Sequence, residues 1–243
     1  MPDIIRSDNL AAAALPFVVA SLESAVQSRG LATFVLSGGS TPQALYRRLA
    51  AEPNLLDWRR VHLFWGDERL VPPDDEESNY GQAHATLIEH VPVPAAHVRR
   101  IKGELAAAEA AGHYACVLRD FRATHDPGAP HSWPRFDLVL LGLGEDGHTA
   151  SLFPGSSPAV EPVIAVTGDY GGRPANRVSL TPLVLNDARQ IFFLAGGAGK
   201  AEAVACTIEG PPDPEQLPAQ RIRPRNGEVR WFLDHAAAAS LTH

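Results

Sequence analysis

The residues best equipped for chemistry sit in three glycine-rich turns, each following a short apolar run. The first is Ser37-Gly38-Gly39-Ser40-Thr41-Pro42. Gly38 and Gly39 let backbone pass close to a ligand, Thr41 is placed to cap a helix, and Pro42 suits that helix's first position. Free N–H groups at a helix start, with the hydroxyls of Ser37 and Ser40, suit a phosphate; a plain tight turn with an N-cap fits the same residues. The second turn, Gly142-Leu143-Gly144-Glu145-Asp146-Gly147-His148, is a literal GxGxxG, but Pro154-Gly155 follows too soon for the helix a dinucleotide site requires. Its distinguishing feature is a carboxylate, Asp146, two residues from an imidazole, His148. An unperturbed imidazole titrates near 6.5, so it can take a proton at neutral pH. The third turn, Gly196-Gly197-Ala198-Gly199-Lys200, resembles a P-loop. Leu194 replaces the leading glycine and Ala201 the magnesium-binding hydroxyl, which argues against nucleotide triphosphate hydrolysis. Lys200 still offers a point charge for a phosphate. Between these turns, Asp67-Glu68-Arg69 follows another strand-like run; it fits a surface ion-pair cluster, or a lip on which Arg69 holds a substrate oxygen.

Other chemistries lack their residues. There is no HExxH, no Cys/His ligand spacing and no GxSxG elbow, so neither a metal nor a serine acyl-enzyme is expected. The two cysteines, Cys116 and Cys206, read as buried free thiols rather than a disulfide.

Elements that could position these turns alternate between apolar strands and helices. Helices are expected over Leu10–Arg29 (closed by Gly30), Pro42–Ala51, Asn79–His90, Glu104–His125 and Ala198–Ile208. Strands are expected over 31–37, 61–66, 98–101, 136–142, 163–167, 177–181, 190–195 and 229–233. Such alternation implies a mainly parallel α/β sheet flanked by helices, in one domain spanning residues 1–243. In a parallel sheet the three turns would share the carboxyl edge of the strands, where ligands of open α/β folds bind.

Composition sets the outer limits. The chain has 243 residues, 45% of them hydrophobic and 20% charged, which excludes a disordered chain. Net charge is −7 without a basic block, which argues against a nucleic-acid partner. With nineteen arginines and two lysines on an overall negative chain, any phosphate site must be built locally. The run Leu10–Ala20 follows a net-negative segment and is broken by Pro16, unlike a secretory leader, and no apolar run is read as membrane-spanning. The expected setting is therefore cytoplasmic, without a membrane partner, as a monomer or weak homodimer.

The motifs together resemble the 6-phosphogluconolactonase family: Leu36–Pro42, Gly66-Asp67-Glu68-Arg69 with Ser78-Asn79-Tyr80, Gly142–Pro154, Arg177–Pro182, Gly199-Lys200-Ala201 and Leu217-Pro218-Ala219 occur in the family's order over nearly the whole chain. The resemblance implies a modified Rossmann-like fold shared with glucosamine-6-phosphate deaminases and ribose-5-phosphate isomerases. It further implies metal-free, cofactor-free hydrolysis of 6-phospho-D-glucono-1,5-lactone, a carboxylic ester hydrolysis in the pentose phosphate pathway. On that basis Ser37, Gly38, Gly39, Ser40, Thr41, Arg177 and Lys200 are expected to hold the sugar phosphate and Asn79 a sugar hydroxyl. His148 with Asp146 would activate water, and Arg69 would stabilise the oxyanion or the product carboxylate. One departure is Gln220, where the family usually has serine. The related deaminases carry a glutamate at the position of Phe153 and an aromatic residue at that of Arg69, so the pattern favours the lactonase. A non-catalytic sugar-phosphate sensor accounts for the phosphate turns but not for Asp146, His148 and Arg69 on one lip.

Overall fold

In the computed structural model, residues 3–128, 130–168, 172 and 174–242 are described. Seven parallel strands form the main sheet in the order β1-β10-β9-β6-β2-β3-β5: β1 (Asp3–Arg6), β2 (Ala32–Leu36), β3 (Val61–Trp65), β5 (Val98–Arg99), β6 (Leu138–Leu141), β9 (Gln190–Ala195) and β10 (Glu228–Leu233). β2, β3 and β6 are buried at every residue, as their mainly apolar runs, broken only by Thr33 and His62, require when helices cover both faces. Those helices are α1 (Leu10–Arg29), α2 (Ser40–Ala51), α3 (Asn79–Thr86), α4 (Ala107–His125), α5 (Pro182–Leu185) and α6 (Ala201–Ile208).

The strand order reverses between β2 and β6. From β2 the chain winds outward through β3 to β5; from β6 it winds the other way through β9 to β10. Adjacent connections therefore lie on opposite faces, and a crevice opens at the carboxyl ends of β2 and β6. The first two glycine turns leave the sheet at this point.

Helix α1 ends at Gly30, whose φ of 80° is the left-handed cap expected of it. By length and composition α1 is apolar enough to cross a membrane, with 20 residues and mean hydropathy 1.5, contrary to the sequence expectation. In this fold Leu10, Ala14, Val18, Leu22 and Ala25 bury one face in the core. Cys116 and Cys206 are free thiols, and they are half-buried rather than buried.

A second, three-stranded antiparallel sheet was not anticipated. β4 (Asp67–Arg69), β8 (Asn176–Leu180) and β7 (Val163–Thr167) pair in the order β4-β8-β7. Only Gly66 separates the end of β3 from the start of β4, so the main sheet hands its chain directly to this annex above the crevice.

Candidate active site

Each turn is held by a non-local polar contact. Tyr46 of α2 donates its hydroxyl to the carbonyl of Ser37 at 2.8 Å and accepts from the Ser37 N–H at 2.9 Å. Tyr114 of α4 does the same for both backbone groups of Trp65, each at 2.9 Å. The two phenols thus complete the backbone hydrogen bonding where β2 and β3 stop pairing, and burial pushes both pKa values above the usual tyrosine range. Gly39 rather than Thr41 is the N-cap of α2; its φ of 104° is open to glycine but not readily to other residues. Thr41 and Pro42 fall inside the first turn of α2, where the absent proline N–H still costs no helical bond. Gly197, before Lys200, repeats this geometry with φ 96°, and its N–H donates to Asp234 at 2.8 Å.

In the second turn, Asp146 Oδ1 lies 2.6 Å from His148 Nδ1 and also accepts the His148 N–H at 3.1 Å. The carboxylate selects the tautomer protonated at Nδ1, which puts the lone pair of the neutral ring on Nε2. Gly144 is required here because a Cβ would fall 2.1 Å from His148 Nδ1. No helix follows Gly147; Thr149 and Leu152 form a tight bridge instead, so the GxGxxG match is not a dinucleotide site. Burial pulls the His148 pKa below its usual value, outweighing the upward effect of Asp146.

A cavity of about 380 Å³ lies over the crevice, bordered by all three turns and the annex. Ser37, Gly38, Gly39, Ser40, Thr41, Arg69, Asn79, His148, Arg177 and Lys200 all line it. Asp146 does not line it and acts from behind the imidazole. The Asp67-Glu68-Arg69 segment is buried, not a surface ion-pair cluster. Glu68 accepts from the backbone N–H groups of Arg69, Asn79 and Tyr80 and from Ser78 Oγ, tying α3 to β4. Burial nonetheless pushes its carboxyl up to about 7. Arg69 Nη1 donates to the carbonyl of Glu77 at 2.6 Å, which orients its guanidinium along the wall.

Asn79 holds the wall together. Its Nδ2 donates to the Asp67 carbonyl at 2.9 Å, and its Oδ1 is sealed against Gly38, where a Cβ would come within 1.8 Å. The amide thus packs the first turn against β4 while Asn79 itself remains a lining residue of the cavity. The sequence reading missed Asp67 itself as a lining residue, together with Ser151, which donates to Asp67 Oδ2 at 2.6 Å. The signal was present: an acid at the end of an apolar strand, beside glycine.

Behind the second turn runs the loop 210–221. The Gly147 carbonyl accepts from the Ala219 N–H at 3.0 Å, and a Cβ on Gly147 would strike Leu217 at 2.6 Å. Gln220 closes this loop, donating to the carbonyls of Cys206 and Pro211 and accepting from the Asp213 N–H.

A doubly wound α/β sheet with an arginine- and lysine-lined cavity over an acid-oriented histidine defines a class of protein that handles small anionic metabolites at the carboxyl edge of its strands. More particularly, the chain belongs to the glucosamine-6-phosphate isomerase/6-phosphogluconolactonase family, whose sequence model matches residues 6–231. It is 40% identical to a 6-phosphogluconolactonase of Mycobacterium tuberculosis, over 97% of this chain and 95% of that one. A Synechocystis protein of the same name is 38% identical, over 98% and 96%. The structure of the 6-phosphogluconolactonase from Trypanosoma cruzi superposes with a TM-score of 0.87 at 31% identity, covering 100% of this chain and 98% of that one. A monomeric glucosamine-6-phosphate deaminase shares the fold, with a TM-score of 0.81 at 19% identity over 99% and 100% of the two chains.

Proposed function

We propose that this chain is a hydrolase that opens 6-phospho-D-glucono-1,5-lactone to 6-phospho-D-gluconate, the second step of the oxidative pentose phosphate pathway. The observation that carries this reading is the placement of His148, oriented by Asp146, in one cavity with Arg69, Arg177, Lys200 and the first glycine turn. The names of the curated relatives point the same way.

The turn Ser37–Thr41, Arg177 and Lys200 hold the phosphate, which leaves the lactone ring over the second turn. His148 Nε2 takes a proton from water as the water oxygen attacks the carbonyl carbon; Asp146 stabilises the imidazolium that results. Arg69 donates to the carbonyl oxygen as charge develops on it. When the tetrahedral intermediate collapses, the imidazolium returns its proton to the ring oxygen and the C1–O5 bond breaks. General-base help of this kind is worth about 10²–10⁴-fold, and one oxyanion donor about 10²–10³-fold. A δ-lactone is a reactive ester, so this apparatus suffices. Phe153 packs 5.1 Å from the His148 ring, where the deaminase pattern would need a carboxylate. The half-buried free thiols and the packed face of α1 support a cytoplasmic enzyme.

The experiment generates the lactone in situ from glucose 6-phosphate with its dehydrogenase. Catalytic amounts of the protein should speed 6-phosphogluconate formation well beyond spontaneous hydrolysis and leave glucosamine 6-phosphate unchanged. Deamination of the latter, or no acceleration of the former, overturns the assignment.

A further inference from the structure

Asp67 is a carboxylate where an anionic ligand would make one unwelcome. Asp67 borders the cavity although it is only 6% exposed, and it shares that cavity with the first glycine turn, which the proposed function gives to a phosphate. A negative charge there weakens phosphate binding unless the same ligand offers it something in return. An ionised carboxylate only accepts hydrogen bonds, with about four sites on its two oxygens. Ser151 Oγ takes one site on Oδ2 at 2.6 Å, and Asn79 Nδ2 reaches Oδ1 only at 3.4 Å, its shorter bond going to the Asp67 carbonyl. Oδ1 therefore retains capacity for a strong donor. The donors a sugar lactone carries are its hydroxyls.

The surroundings fix this carboxylate in place. Asp67 pairs with Ser179 across β4 and β8, and the Ser179 hydroxyl in turn accepts the Ser151 N–H at 3.2 Å. Ser151 is aimed by Ala150, a lining residue whose φ of 49° is unusual for a non-glycine and costs on the order of 1–3 kcal/mol. Strain next to a buried carboxylate–hydroxyl pair marks a geometry kept for use rather than for packing. Position along the ligand follows from His148. Asp67 and His148 border the same cavity, and Ser151, whose hydroxyl holds Asp67 Oδ2, lies three residues beyond His148. With the imidazole addressing the carbonyl carbon from this shared rim, the geometry points to the neighbouring sugar carbon as the one whose hydroxyl Asp67 meets.

We propose that Asp67 is a specificity-determining residue whose Oδ1 accepts the hydroxyl on the carbon adjacent to the lactone carbonyl, with Ser151 and Asn79 holding the carboxylate for that contact. The inference rests on the lactonase reading. It assigns recognition of a 2-hydroxy lactone to the annex strand, separate from phosphate capture and proton transfer.

The test compares kcat/KM for the lactones formed in situ from glucose 6-phosphate and from 2-deoxyglucose 6-phosphate. A hydrogen bond to a charged acceptor makes the wild-type enzyme prefer the 2-hydroxy lactone by about 10–100-fold. In Asp67→Asn that ratio should fall to within about threefold, because the loss falls mainly on the hydroxylated substrate. A ratio unchanged by the substitution, or a wild-type enzyme indifferent to the 2-hydroxyl, overturns the inference while leaving the lactonase reading intact. Failure of the wild type on both lactones sinks the lactonase reading instead. Should Asp67→Asn not fold, Ser151→Ala carries the test: releasing Oδ2 should lower the ratio several-fold, and an unchanged ratio is again fatal.

Discussion

Arg69 and Arg177 stand directly opposite one another across the antiparallel strands β4 and β8, only 5% and 3% exposed, and both border the cavity. Like charges in that relation destabilise a sheet. Backbone carbonyls absorb part of the cost: Arg69 Nη1 donates to Glu77 and Arg177 Nε to Pro174. The Arg177 guanidinium also lies 5.5 Å from the centre of the Phe153 ring. An anion in the cavity would remove the remaining repulsion, so the annex is preset for a negatively charged ligand.

That arrangement links ligand to stability. Saturating 6-phosphogluconate should raise the melting temperature, by about 2.7 kcal/mol of stabilisation at 100 times Kd. Arg177→Met should leave the unliganded protein as stable as wild type or more so, and should abolish most of the ligand-induced rise. Differential scanning fluorimetry with and without ligand reads both; a full rise in Arg177→Met removes this residue from the anion site.

The Asp146–His148 contact makes a kinetic forecast. Asp146→Asn replaces an acceptor with an amide that no longer selects the Nδ1-protonated ring, and should lower kcat by about 10²–10⁴-fold with KM nearly unchanged. Burial already places the His148 pKa below the ordinary histidine value. The base therefore stays neutral and competent down to pH values under 6.5, and activity falls as pH drops through that lowered pKa. Since Asp146 pushes the pKa up, the same substitution should move this acid limb lower still. A limb that stays in place in kcat–pH profiles of the two proteins would separate Asp146 from His148 function.

Much of this was readable in the sequence. Helix α1 and strands β7 and β9 have the boundaries their patterns imply, because each is a largely apolar run closed by a local stop: Gly30, Gly168 and Gly196. β1 was not readable: four residues at the sheet edge pair with β10, more than 220 positions away, and no local pattern encodes that. β4 is three charged residues long, so its pairing with β8 overrides every propensity it has. Among site residues, the turns announced themselves through glycine. Tyr46 and Tyr114 did not, because their importance lies in which distant backbone groups they meet.

Gln220 lies outside the cavity yet closes the loop behind it. Its amide ties α6 to the loop whose Leu217 and Ala219 back the second glycine turn at Gly147. Gln220→Ala leaves the Asp213 N–H and two carbonyls without their partner, and should cost about 1–3 kcal/mol of stability. If the loop also braces His148, kcat should fall several-fold while KM holds. A stability loss with wild-type kcat confines Gln220 to the scaffold.

At the opposite edge of the sheet, away from the cavity, His62 stacks on His97 at 3.8 Å between ring centres, with His125 at 5.4 Å and Phe121 at 5.1 Å. Arg99 lies over the Phe121 ring at 4.9 Å. Burial first, then the charges of His97, Arg99 and His125, push the His62 pKa down to about 3, and His97 and His125 are lowered as well. Unfolded histidines titrate near 6.5, so the unfolded chain takes up protons that the folded cluster refuses. Stability contributed by the neutral cluster is complete above pH 6.5 and is lost as pH falls below it, by up to about 1.4 kcal/mol per pH unit for each proton taken up. Glu68 works in the opposite sense, since its raised pKa favours the folded state as pH falls from 7 toward 4.5, and it offsets part of the slope. His62→Phe keeps the stack, and His62 Nδ1 has no hydrogen bond to lose. Urea unfolding from pH 7.5 to 4.5 should show a clearly shallower acid decline in His62→Phe than in wild type; parallel curves would place the acid sensitivity outside this cluster.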